Sequence, residues 1–222
     1  MSSESVAARV RERVLASRNR FWRPGEFSDC SPGAVTRALG RLARSGELRR
    51  VHRGLYWRGT PTPLGMAPPP ASYLARTLAP SKGSGPAGLS AALLLGLSTQ
   101  VPRREAIAVL ARAPESTAAL RFVSRTAATG RKSAALKPAE VALLEVLRDW
   151  DALVESPAGE AKRRIAGLMG SGDIRPDRVA MASSTEPAPV RERLRGLLDD
   201  VGRPDLAAKV LPPRGRRLAL PR

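Results

Sequence analysis

Residues 31–58, SPGAVTRALGRLARSGELRRVHRGLYWR, constrain this chain more than any other stretch. Ser31 suits an N-cap and Pro32 the first helical position, so a helix has a physical start there. Val35, Leu39 and Leu42 fall at i, i+4 and i+7 and form one stripe for burial. The opposite face holds Gly33, Thr36, Arg37, Gly40, Arg41 and Arg44, which are small, polar or basic. Ser45-Gly46 ends the helix, because glycine accepts the left-handed conformation of a helix C-terminus. Residues 48–52 and 55–58 are short β-prone runs, and Arg53-Gly54 between them suits a tight turn. A helix followed at once by a basic hairpin predicts the recognition helix and wing of a winged helix-turn-helix.

The flanking segments predict the rest of the organisation. Residues 3–18 carry Val6, Val10 and Val14 on one stripe and read as an amphipathic helix capped by Ser2, Ser3 or Ser5. Phe21-Trp22 supplies rings for a small core. Residues 24–29 have room for a single helical turn where the first helix of the motif belongs. Residues 59–71, GTPTPLGMAPPPA, contain five prolines and no charge, and predict a stiff extended linker. Beyond it come an amphipathic stretch at 72–78, a buried helix at 86–100, and short strands at 107–110 and 120–124. Three helices follow: one from near Pro138 to near Leu153, then 158–169 and 190–201, with glycine or Arg-Pro breaks after them. The expected fold class is therefore α+β and mainly helical. Residues 1–58 are a winged helix-turn-helix, 59–71 a Pro-rich linker, 72–212 a mixed α/β C-terminal domain and 213–222 a basic tail.

Charge narrows the function. The chain carries 38 Lys+Arg against 20 Asp+Glu, a net charge of +18, which suggests a polyanionic partner. Residues 1–58 hold 13 arginines, no lysine and five acidic residues, so close to half of the excess lies in about a quarter of the chain. An arginine-rich codon bias would spread it evenly. Arg37 and Arg41 stand one helical turn apart, as bidentate readers of guanine edges worth about 1–3 kcal/mol each, or as a solvated basic face. Arg49, Arg50, His52 and Arg53 crowd the wing, where they reach phosphates or the minor groove, or protect an edge strand. Ser31 caps its helix and is placed to reach a phosphate. Tyr56 and Trp57 alternate in facing, so one is expected in the core and the other partly exposed.

Other chemistries find little support. One cysteine, Cys30, excludes an intrachain disulfide, and with a single histidine it argues against a zinc site. No metal, cofactor or catalytic residue is expected. Asp149, Asp151, Glu155 and the Asp199-Asp200 pair read as surface carboxylates balancing arginines. Lys82-Gly83-Ser84-Gly85 lacks the rest of a P-loop. The charged N-terminus is not a secretory signal, and the longest apolar run, 89–97, is far too short to span a bilayer, so a cytoplasmic protein is expected.

GELRRVHRGLYWR, the proline-bearing segment and GLSAALLLGLSTQVP together resemble the AbiEi-type antitoxin family, over roughly residues 26–155. The resemblance implies an N-terminal winged helix ending in the Arg-Gly-Leu-Tyr hairpin and a larger C-terminal antitoxin domain. It further implies a type IV toxin–antitoxin component that represses its own operon by binding operator DNA, with inverted repeats as the expected site. The C-terminal domain would counter a nucleotidyltransferase-type toxin, without requiring a stable complex. By position, the DNA-facing residues implied are Ser31, Thr36, Arg37, Arg41 and Arg44 on the helix and Arg50, His52 and Arg53 on the wing. Nothing enzymatic is carried over. Two other readings stay open: a winged-helix regulator whose C-terminal domain senses a small ligand, and a protein whose basic face docks on RNA or an acidic partner.

Overall fold

The structure, a computed structural model, describes residues 5–79 and 82–211. Ser2 and Ser3, proposed as caps, and the basic tail at 213–222 lie outside the described residues. The fold is α+β with helices outweighing strands, and the chain divides into two compact units, Met1–Leu74 and Ala75–Arg222.

In the first unit, helix α1 (Val6–Leu15) starts at Ser5, whose hydroxyl accepts a hydrogen bond from the Ala8 amide at 3.2 Å. Val10 and Val14 are its buried stripe. Strand β1 (Arg20–Trp22) follows, then a single 3-10 turn at Pro24–Glu26 and helix α2 (Pro32–Arg44). Val35, Ala38, Leu39 and Leu42 of α2 are buried with Val10, Val14, Trp22, Phe27, Leu48 and Tyr56 in one core. Each large aliphatic side chain buried there stabilises the unit by about 1.5–3 kcal/mol. Strands β2 (Arg49–His52) and β3 (Leu55–Arg58) form the expected hairpin, with Gly54 at φ +68° in the turn, a conformation that favours glycine. β1 pairs with the other edge of β3, giving an antiparallel sheet in the order β1-β3-β2, with Trp22 opposite Tyr56 and Phe21 opposite Trp57.

Both faces of this sheet are covered, which changes two expectations. Trp22 and Tyr56 face the helices, whereas Phe21 and Trp57 pack with Tyr73, at ring-centroid distances of 4.8–5.9 Å. Tyr56 and Trp57 are therefore both buried, not one in and one out. The expected extended linker is the reason. Residues 59–70 include an antiparallel hairpin of β4 (Pro61–Thr62) and β5 (Gly65–Met66). The Trp57 indole donates to the Ala67 carbonyl at 3.0 Å, and Met66 is buried. Gly59 is required here, since a Cβ would come within 2.3 Å of Trp57 Nε1. Helix α3 (Ala71–Leu78) follows.

The second unit has a sheet of β6 (Gly85–Pro86), β7 (Glu105–Val109) and β8 (Leu120–Ser124), with β6/β7 antiparallel and β7/β8 parallel. Helix α4 (Leu89–Leu95) is shorter than the run expected over 86–100: Pro86 belongs to β6, and Gly96 ends the helix. Leu93 and Leu94 are exposed, so the segment is buried on one side only. After α5 (Gly130–Ser133) comes α6 (Pro138–Arg148), buried at every residue from Glu140 to Leu147 and forming the unit's axis. Its helix stops at Asp149, and α7 (Trp150–Leu153) is separate, not a continuation. α8 (Ala158–Gly170) and α10 (Ala188–Asp200) lie where expected. Between them, the Arg175-Pro176 break starts α9 (Pro176–Ala182), since proline suits the first helical position. α11 (Pro204–Ala207) closes the described chain.

Candidate nucleic-acid interface

Helix α2 buries one stripe, so its remaining arc must face outward. Thr36, Arg37, Arg41 and Arg44 are all exposed on it. The Leu48 amide donates to the Leu42 carbonyl at 3.0 Å, tying the entry of β2 to the last turn of α2. The two elements thereby enclose an open groove of about 710 Å³. Thr36, Arg37, Gly40 and Arg44 line it from the helix, Arg49 and Arg50 from the hairpin, and Leu64 and Met66 from the β4–β5 hairpin. The groove is bordered by four guanidinium groups.

The structure thus brings Thr36, Arg37, Arg44, Arg49 and Arg50 into one groove. Ser31, Arg41 and Arg53 are exposed but outside its lining, and half-buried His52 is outside it too. Ser31 holds the N-cap position through its backbone carbonyl, which accepts from the Val35 amide at 3.0 Å, and its hydroxyl makes no capping bond. The expected side-chain cap is absent. Thr36 Oγ1 donates to the Pro32 carbonyl at 2.9 Å. His52 Nδ1 lies 3.3 Å from the Arg53 carbonyl, and its Nε2 is enclosed without a partner.

The ion pairs of this unit are made by arginines outside this face. Arg9 pairs with Asp29 at 3.3 Å, Arg11 with Glu47 at 2.8 Å, and Arg20 with Glu26. The described carboxylates that form ion pairs in this unit are thus taken up by arginines of α1 and β1. Arg44 reaches only the Gly40 carbonyl, at 3.4 Å, and Arg49 the Met66 carbonyl, at 3.2 Å. Arg37, Arg41, Arg50 and Arg53 make no hydrogen bond or ion pair among the described residues. Among the described residues, none of these six guanidiniums therefore forms an ion pair with a carboxylate.

No protein-family model and no curated protein matches the sequence. Among solved structures, the crystal structure of the RV2827C protein from Mycobacterium tuberculosis is similar, with 20% identity and a TM-score of 0.53. The alignment covers 92% of this chain and 80% of that one. The two share a fold.

Sequence reasoning missed Leu64 and Met66, because proline count made their segment look like a linker. The turn signal Thr62-Pro63-Leu64-Gly65 was the available clue. It also missed the ionic cluster of the second unit. There Arg131, fully buried, donates to Glu145 at 2.7 Å and to both oxygens of Glu186 at 2.6 and 3.0 Å. Arg125 closes on Glu145 at 2.8 Å and Arg148 on Glu186 at 2.9 Å. Burial raises the Glu145 carboxyl, but Arg125 and Arg131 outweigh it and hold the group below its ordinary range. Glu140 behaves alike: burial raises its carboxyl, but the Arg175 side chain with the Lys137 and Arg175 amides outweighs this and holds the group below its ordinary range. Every carboxylate in this cluster is matched by arginine, which makes it an internal brace.

The acidic residues considered for catalysis do not converge. Asp151 pairs with Arg193 at 2.8 Å, Asp200 with Lys162 at 2.5 Å, and Glu155 accepts from the Thr99 amide and Gln100. Among the described residues no group of three or more His, Cys, Asp or Glu is placed to hold a metal ion, and no helix is long and apolar enough to cross a membrane.

Proposed function

We propose that this protein is the antitoxin of a type IV toxin–antitoxin system, acting in the cytoplasm as repressor of its own operon and without enzymatic activity. The observation that carries the DNA-binding half is the groove between α2 and the β2–β3 hairpin, rimmed by arginines that pair with no carboxylate among the described residues. The element order supports a winged helix: helix, strand, short turn, helix, then two strands, with the first strand on the far edge of the hairpin. In that arrangement α2 enters the major groove, Arg37 and Arg41 read base edges, and the wing arginines hold phosphates. The antitoxic half rests on the resemblance carried by the Arg-Gly-Leu-Tyr hairpin and the SAALLLGL helix, and assigns to the second unit the task of countering a nucleotidyltransferase-type toxin.

Selection of genomic fragments on the full-length protein at near-physiological salt tests the reading. Enrichment of one fragment upstream of its own gene is expected, as is toxicity of the neighbouring gene when expressed alone. Sequence-blind retention that disappears on raising salt would reduce the face to an electrostatic surface. A second reading, a ligand-sensing regulator, is favoured by an open pocket of about 300 Å³ in the second unit, lined by Leu147, Trp150 and Leu197 together with Lys162, Arg193 and Asp200. It predicts operator binding with a harmless neighbouring gene.

A further inference from the structure

The β4–β5 hairpin carries one side chain that the electrostatics of the groove does not call for. Leu64, at its turn, is 100% exposed. Its surroundings are anchored. Met66 is buried and its sulfur accepts from the Gly59 amide at 3.2 Å, while its carbonyl takes the Arg49 guanidinium at 3.2 Å. Thr62 Oγ1 donates to the Gly65 carbonyl at 2.7 Å across the turn, and Pro61 and Pro63 restrict the backbone on either side of Thr62. An aliphatic side chain is thus held in water on a braced turn.

Its position names a partner. Leu64 forms one wall of the groove whose other walls carry Arg37 and Arg44 on α2 and Arg49 and Arg50 on β2. An apolar protein surface seated on Leu64 would also have to cover those four charges. A nucleic-acid duplex neutralises them instead. With one sugar-phosphate strand lying along the arginines and α2 in the major groove beside it, the β4–β5 side of the groove would meet the adjoining minor groove. A leucine there has no phosphate to pair with and a base stack to enter, which is how apolar wedges act in the minor groove.

We infer that Leu64 is a minor-groove wedge, inserting at a base step beside the α2 contact and favouring easily unstacked TA or CA/TG steps at that position. The inference rests on the DNA-binding reading proposed above. It gives the protein a source of sequence preference at a step that no arginine reads.

The test uses the full-length protein and its selected genomic fragment, with 2-aminopurine substituted at successive steps flanking the site. Wild type is expected to raise fluorescence at one step. Leu64→Ala should abolish that rise and weaken binding about tenfold, the cost of losing a wedge contact, whereas Leu64→Met should keep both. Because Leu64 is fully exposed, neither variant removes a core contact. Unchanged affinity and fluorescence in Leu64→Ala, with binding still abolished by Arg37→Ala, would overturn the wedge and leave the DNA-binding reading standing. Failure of wild type to select any fragment, with Arg37→Ala no different, would overturn both.

Discussion

The two units use arginine in opposite ways. In the first, Arg37, Arg41, Arg50 and Arg53 are held on the surface without a partner among the described residues, and the ion-paired carboxylates belong to Arg9, Arg11 and Arg20. In the second, Arg131 is buried between Glu145 and Glu186, with Arg125 and Arg148 completing the cluster and Arg175 gripping Glu140. The first arrangement leaves charge available to a partner. The second consumes charge inside the molecule, where one missing member leaves an ion stranded.

Removing the central brace should have the largest effect. Arg131→Ala removes the buried cation shared by Glu145 and Glu186, leaving each with one partly exposed arginine, and is expected to cost about 3–5 kcal/mol, seen as an early transition in chemical denaturation followed by tryptophan fluorescence. A loss below about 1 kcal/mol would mean that the cluster is not holding the unit together. The mirror experiment is Arg37→Ala, which should weaken operator binding by about 1–3 kcal/mol while stability stays within about 0.5 kcal/mol. Loss of stability with retained binding would erase the contrast.

Acid sharpens it next. Glu140 and Glu145 have folded-state values below their unfolded ones, so their contribution is complete above the ordinary carboxylate value and is lost as pH falls through the folded values. Thermal melts between neutral and acid pH should show the second unit weakening first, because the first unit's core is aliphatic and aromatic. The smallest effect is expected from Ser31→Ala. Its hydroxyl makes no capping bond, so the loss should fall well short of the ~1 kcal/mol typical of a cap, and any larger change in DNA affinity would mark a phosphate contact.

The legible parts were those in which neighbours along the chain are neighbours in space. Val35, Leu39 and Leu42 lie on one helical stripe, so the outward arc with Thr36, Arg37 and Arg44 followed from helical period. The Arg53-Gly54 turn fixed the pairing of β2 with β3 in the same way. The 59–70 segment misled because proline-rich composition is common to linkers and to stiff turns, and only the Trp57 indole and Gly59 contacts distinguish them. Glu145 carried an ambiguity of the same kind. A glutamate on a helix usually faces water, and nothing within one turn of it announces Arg131, 14 residues away.

By itself, the sequence determined the α2 helix with its basic face, the β2–β3 hairpin, and the concentration of charge in the first 58 residues. These depend on backbone periodicity and turn chemistry, which act over a few residues. Tertiary structure alone decided that the β4–β5 hairpin closes the groove and presents Leu64, and that Arg131 meets Glu186 across 55 residues. Those outcomes depend on which distant side chains share a volume and on whether a charge is desolvated. No local pattern encodes either.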